Sequence, residues 1–344
     1  MTRTRLLIAL IALIAASCAT SGAGDDTTRI AFIQDLSAPD ADEHVQPALQ
    51  AAELAVAMHA PEGVSVELVP FDIAAEPSTI EEIATDPSFV AAIVGPGADG
   101  SAVAEAGVPT VSVSTAGSTP DSGTWRRFVA PIDVVANAIA AELAGSEPCV
   151  LSEEPPPDAL AGLLTDRLGG PEAHLAPDEA ASFVEVSGCD AVAWAGSPDG
   201  AAELSQALPA GVALVGGDRL LNPDFANGGG AAAEGTRAVC ACDDLTTSTD
   251  PTVLRFIQDY QSEFGTAPGP YAVEAWDAVG VILRALVSGS GRESVEATVD
   301  ALENLDGLRT TYLFEATGAL AEPAGYVSVS ELRAGRWVRL ELST

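Results

Sequence analysis

From Arg29 onward the chain alternates short β-branched runs with helical stretches, and it does so in two successive series. In the first, residues 29–33, 64–69, 91–94, 110–113 and 127–129 read as strands, and 45–60, 78–85, 101–106 and 133–143 as helices. Ser78 with Glu81 three residues on has the form of a capping box. The stretch 145–148 (GSEP) interrupts the pattern, and a second series begins. Its strands fall at 149–151, 172–175, 190–194, 212–215 and 235–242, with helices at 158–168, 178–186 and 199–208. Strands separated by helices favour parallel pairing, because the crossover helix carries the chain back to the edge it left. The expected fold class is therefore α/β, with two doubly wound parallel-sheet units. The remainder departs from this: helices at 250–264, 271–287 and 294–305, a strand at 312–315, and a hairpin of 326–332 with 337–342. Its loop, Arg333-Ala334-Gly335, predicts a three-residue turn with Gly335 in a left-handed bulge.

The first residues read as an address. Arg3 and Arg5 precede an apolar run from Leu6 to Ala16, and Ala15-Ala16-Ser17-Cys18 closes it with small residues and a cysteine. That order is the pattern of an export signal. The run is too short for a membrane span, which needs about 20 apolar residues. The closing segment resembles a lipobox, with residues 1–17 as signal peptide, Cys18 as the acylated first residue and 18–28 as a small polar tether. The alternative is an ordinary secretory signal with a chance cysteine.

Composition narrows the partners. Hydrophobic residues make up 47% of the chain, enough for a large core and against disorder. The formal net charge is −35, and it becomes −37 once Arg3 and Arg5 leave with the signal. Such a chain does not bind nucleic acid by neutralising phosphates. Anionic head groups repel it as well, so attachment to a membrane falls to the lipid. With Cys18 assigned to lipid, Cys149, Cys189, Cys240 and Cys242 remain, an even set that in an exported chain suggests disulfides in one of three connectivities. A zinc site is the rival, but Cys240 and Cys242 have no second close pair and no nearby His. No metal and no cofactor is expected.

Several segments, taken in order, resemble the type I periplasmic binding proteins in the branch that holds the Leu/Ile/Val-binding protein. One is 91–101, AAIVGPGADGS, a strand and a Gly-rich turn; it is followed by 107–117, GVPTVSVSTAG. Another runs from Phe256 and Tyr260 through Phe264-Gly265 and Pro268 to Tyr271 and Ala275-Trp276-Asp277-Ala278, with Trp276 where the family usually has Tyr. The resemblance implies two lobes joined by three crossings: 29–143 plus 250–314 as lobe one, and 149–245 plus 325–344 as lobe two. It places a ligand between the lobes at the C-terminal ends of strands. It also makes the first and third strands of lobe two neighbours, so that Cys149 and Cys189 could pair; the partners of Cys240 and Cys242 stay open.

By the same resemblance, amino-acid ligands are held by hydroxyls, backbone N–H groups and an acid for the ammonium. The loops offering these are 35–37 with Ser37, 97–99 with Asp99, and Ser114, Thr115 and Ala116 in lobe one; lobe two offers Glu153 and Glu154, Ser197 and Asp218; Tyr271 lies near the hinge. Ser114 and Thr115 match the position for the carboxylate and amino groups, or form a turn closed by their own hydroxyls. Ala116 stands where the family often has Thr. Asp99 matches a ligand-facing Ser, or caps the next helix. Asp218 matches the ammonium-reading acid, or is a solvated loop acid. The Glu pair precedes Pro155–Pro157, where relatives present an aromatic, and Tyr271 either packs on the ligand or joins the core. Asp99, Asp218 and the Glu pair together would make the cleft negative and favour a cationic or neutral-polar solute. His44 reads as part of a solvated helix entry rather than a metal ligand.

The chain carries no nucleophile elbow, phosphate loop or HExxH sequence. The expected function is that of a lipid-anchored, monomeric solute-binding protein, not an enzyme, that hands a small polar, amino-acid-like solute to an ABC permease. A receptor lobe that signals to a membrane partner, an exported α/β enzyme, and a degenerate relative that binds nothing are the alternatives. Replacing Cys18 by Ala is expected to move the protein from the membrane to the soluble fraction on cell fractionation; retention in the membrane fraction refutes the lipobox.

Overall fold

In the first sheet the most apolar strand sits near the centre. β3 (Phe89–Val94) is buried along its whole length, and β1 (Thr28–Gln34) lies beside it. With β2 (Val66–Asp72), β4 (Thr110–Ser112) and β5 (Trp125–Arg127) they form a parallel sheet in the order β2-β1-β3-β4-β5. Burial on both faces follows the two-residue period of a strand. Ile30, Phe32, Ala91 and Ile93 enter one core, shared with helices α1 (Ala41–His59) and α10 (Ala272–Ser288). Ala31, Ile33, Ala92 and Val94 enter another, with Ile83 of α2 (Thr79–Thr85) and Val103 of α3 (Ser101–Glu105). The computed structural model describes residues 27–37, 41–153, 159–243, 245, 248–289 and 291–340. Cys18 and the signal lie outside them.

After β5 the chain forms α4 (Ile132–Glu142) and enters the second sheet. Here β6 (Pro148–Ser152), β7 (Glu172–His174), β8 (Ala191–Trp194), β9 (Ala213–Gly216) and β10 (Arg237–Cys240) are parallel neighbours in the order β10-β9-β8-β6-β7. Helices α5 (Leu160–Leu168), α6 (Pro177–Ser187), α7 (Pro198–Ala207) and α8 (Pro223–Gly229) cross between them. The chain then returns to the first sheet as α9 (Pro251–Phe264), α10 and α11 (Arg292–Asp300), followed by the small pair β11 (Asn304–Asp306) and β12 (Thr311–Leu313). It ends in the second sheet, where β13 (Ser328–Arg333) runs antiparallel to β10 and β14 (Arg336–Arg339) pairs with β13. Disulfides join Cys149 to Cys189 and Cys240 to Cys242, with Cα atoms 5.8 and 5.1 Å apart.

Local details differ from the expectations, each for an identifiable reason. The Ser78 capping box does not form: Ser78 has helical dihedrals and no side-chain cap bond, whereas a capping residue needs extended backbone. The helix expected to reach residue 305 ends at Asp300, and 304–306 pair with 311–313 as a strand. The final hairpin turns in two residues, not three. Arg333 pairs with Arg336, and Ala334 and Gly335 both have left-handed φ, 51° and 69°. That is the geometry of a type I′ turn, which matches the strand twist. Both of its N–H groups donate to the Glu234 carboxylate, at 2.7 Å each.

The segments that pass between the sheets are tied to one face of α10. Glu274 and Asp277, three residues apart, point the same way. Glu274 Oε1 accepts the N–H of Asp243 (2.7 Å), just past β10. Asp277 accepts the N–H of Leu308 (2.9 Å) and the hydroxyl of Tyr312 (3.1 Å). Gly307 is glycine by necessity, because a Cβ there would lie 2.4 Å from Asp277 Oδ2. Ser328 donates to the carbonyl of Cys242 (3.0 Å), joining the last crossing to the second. Burial pushes Asp277 up to about 7, against the Leu308 N–H and Tyr312 hydroxyl, which favour the carboxylate. Burial, and then the neighbouring Asp243, raise Glu274 well above the carboxylate range.

A carboxyl with a raised folded-state pKa stabilises the protein fully below its unfolded value near 4; that contribution is lost as pH rises to about 7. Asp277→Asn keeps an acceptor for Leu308 and carries no charge. Urea denaturation is expected to show the variant gaining on the wild type between pH 5 and pH 8; an equal difference at both values refutes the assignment.

Candidate functional site

Three loops leave the first sheet at the C-terminal ends of its strands and meet at one edge, where open parallel sheets place their ligands. After β1, Asp35 accepts the N–H of Ser37 (2.9 Å) and sets a tight turn. After β3, the N–H of Gly95 bonds the Ile33 carbonyl (2.7 Å), and Gly97 turns with φ 82°. After β4, the N–H of Val113 bonds the Val94 carbonyl (2.8 Å), and the Thr115 carbonyl accepts from Ile132 (3.0 Å) at the start of α4. Among the described residues, nothing bonds the N–H or hydroxyl of Thr115. Both face a partly open position.

The second sheet supplies the opposing wall. The turn after β9 carries Asp218 and Arg219, and α5 begins with Leu160. Between the walls lies a cavity of about 60 Å³, bounded on the first side by Ser37, His44, Gly97, Thr115 and Ala116 and on the second by Leu160, Asp218 and Arg219. A wider groove of about 960 Å³ opens beside it and shares His44, Asp218 and Arg219.

Asp218 is the most constrained group at this junction. Tyr271 donates its hydroxyl to Asp218 Oδ2 at 2.5 Å, and His44 Nε2 stands 3.3 Å from the same oxygen. The His44 and Tyr271 rings meet edge to face, with centroids 5.7 Å apart. One helical turn away on the facing element, Asn222 donates to Glu43 (3.1 Å). Tyr271 is buried and left-handed, with φ 63°. For a bulky residue that backbone costs about 1–3 kcal/mol. The strain places the phenol of the residue before α10 across the junction.

The structure thus brings Ser37, Thr115, Ala116 and Asp218 to one cavity, with Tyr271 bonded to Asp218. The other candidates lie elsewhere. Ser114 is fully buried, and its hydroxyl accepts the N–H of Ala116 (3.0 Å). Asp99 is exposed and accepts the N–H of Ser101 (3.0 Å) at the entry to α3. Ser197 caps α7 through Gly200 and donates to Glu153 (2.7 Å), which occupies that carboxylate. Glu154 lies outside the described residues. Of the acids expected to make the cleft negative, Asp218 lines the cavity and Asp99 and Glu153 do not. His44 and Arg219 were missed. The signal for His44 was present: it falls in the register of Ala41, Val45 and Ala48, the buried face of α1. Among the described residues, no group of three or more His, Cys, Asp or Glu is placed to hold a metal ion.

No protein-family model matches the sequence, and no curated protein does. Solved structures do match. The leucine-binding protein LivK of Thermotoga maritima is 18% identical, with a TM-score of 0.71 over 91% of this chain and 98% of that one. The substrate-binding protein LivJ of Streptococcus pneumoniae, solved with isoleucine, is 19% identical with a TM-score of 0.69, over 91% of this chain and all (100%) of that one. A periplasmic binding protein type 1 from Bordetella pertussis is 18% identical with a TM-score of 0.72, over 92% and 100%. The chain has the type I periplasmic binding protein fold.

Within a type I fold, the cavity lies where two sheet edges face one another, and the Tyr271–Asp218–His44 contact is one of the links across it. Replacing Tyr271 by Phe removes one charge-assisted hydrogen bond and leaves the ring. A stability loss of about 1–3 kcal/mol is expected in urea denaturation; no change would mean that the phenol is idle.

Proposed function

We propose that this chain is the extracytoplasmic solute-binding protein of an ABC importer and that it closes two lobes on a small, polar, amino-acid-like solute. Lobe one is 29–143 plus 250–314 and lobe two is 149–245 plus 325–344. Cys18 carries the lipid that keeps the receptor beside its permease. The carrying observation is the cavity between the two sheet edges, with the Thr115 N–H and hydroxyl left unsatisfied on its wall. Half-exposed donors that no protein group occupies are available to a ligand carboxylate, which accepts from both. The likeness to leucine- and isoleucine-binding structures supports the same reading.

The chemistry required is recognition alone. A carboxylate docks on Thr115 and the Gly97 turn, and Asp218 keeps its second oxygen, Oδ1, for an ammonium. Closure is stabilised only by the difference in the solute's affinity for the closed and open forms. Of the acids expected to favour a cation, Asp99 and Glu153 are turned to Ser101 and Ser197, and Asp218 remains at the cavity to meet the ammonium of a zwitterionic head. The likeness to substrate-binding proteins supports recognition without catalysis.

Calorimetry with a panel of amino acids tests the proposal. At least one neutral amino acid is expected to bind, and Thr115→Ala is expected to weaken it about tenfold or more, or ~1.4 kcal/mol. Failure of the whole panel, or equal affinity in the variant, rejects the reading.

A further inference from the structure

We propose that His44 is the positioning residue of the cleft: by pairing with Asp218 across the two walls, it makes closure, and with it the grip on the solute, stronger when the imidazole is protonated. The geometry sets up this role. His44 lies on α1 of the first half, and Asp218 on the turn after β9 of the second. Their contact of 3.3 Å is largely shielded, with side chains 12% and 19% exposed. An ion pair there is screened far less than one on the open surface. The pair lines both the inner cavity and the groove beside it, so the walls cannot part without separating it.

The described charged and titratable side chains around His44 come from several elements. Tyr271, just before α10, meets the imidazole edge to face and donates its hydroxyl hydrogen bond to Asp218. Asp35, from the β1 loop, and Arg219, beside Asp218, line the same cavity. Glu43, next to His44 on α1, is held by Asn222. Across the walls His44 reaches Asp218 Oδ2, and the Tyr271 hydroxyl fixes that oxygen in place. Protonated imidazole donates to a carboxylate as an ion pair; neutral imidazole offers only a dipole. Histidine is the side chain that changes charge between pH 5 and pH 8, so the pair strengthens toward the acid end of that range.

The proposal rests on the solute-binding reading for its consequence, but the motion is measurable without a solute. Small-angle X-ray scattering of the unliganded protein at pH 5.5 and pH 8 reads closure directly. The wild type is expected to be more compact at pH 5.5. His44→Gln and, independently, Asp218→Asn are each expected to abolish that difference, and His44→Lys to keep the compact form at both values. Asp277 titrates in the same window, so the comparison is repeated in an Asp277→Asn background, where the His44 effect is expected to persist. Persistence of the pH difference in both His44→Gln and Asp218→Asn, or its absence in the wild type, overturns the proposal. With L-leucine as probe, affinity is expected to be about fivefold higher at pH 5.5 than at pH 8 in the wild type and pH-independent in His44→Gln. Scattering that responds while no amino acid binds at either pH upholds the His44 role and rejects the solute-binding reading.

Discussion

The cleft depends on one constraint: parallel strands all end at the same edge. Each crossover helix returns the chain to the start of the next strand, so the loops after β1, β3 and β4 are delivered together. The turn after β9 does the same for the second sheet. Neither sheet needs a special sequence to collect polar groups there. It needs only buried strands long enough to fix the register, such as the fully apolar FVAAIV of β3. The backbone groups just past a strand have lost their ladder partners, and a ligand can take those partners' place.

Helix α10 links this edge to the passages between the sheets. Its leading residue, Tyr271, reaches the second half through Asp218. One turn further in, Glu274 holds the chain after β10, and Asp277 holds the loop before β12. The helix body is packed against α1, which carries His44. One helix therefore bears both on the edge of the cavity and on the segments that pass between the sheets.

Much of this was legible in the sequence, in proportion to how local its cause is. The alternation of apolar runs gave the two parallel sheets, since strand and helix periods are properties of short windows. The Ser78 cap and the three-residue hairpin loop were misread. Ser78 stays helical, and Glu234, one hundred residues away from Ala334, anchors a tighter turn. At the site, Ser37, Thr115, Ala116 and Asp218 meet because they follow strands, which sequence can place. Asp99, Ser114 and Ser197 carry the same residue chemistry, yet they close bonds within a few residues of themselves or with Glu153. Residue type cannot separate a donor that faces a cavity from one that caps a turn. Only the partner does.

Charge shows the same distinction on a larger scale. A negative cleft was expected from Asp99, Asp218 and the Glu pair; of these Asp218 lines the cavity, as does Asp35, whereas Asp99 bonds Ser101 and Glu153 bonds Ser197 away from it. The many remaining acids are spread over the exterior, where water and salt screen them beyond about 10 Å. Net charge therefore sets solubility and repulsion from anionic surfaces, and says little about the solute. The wall of the cavity carries two basic groups, His44 and Arg219, and the N–H and hydroxyl of Thr115. In so acidic a chain, the scarce bases and the unsatisfied donors are the more informative residues.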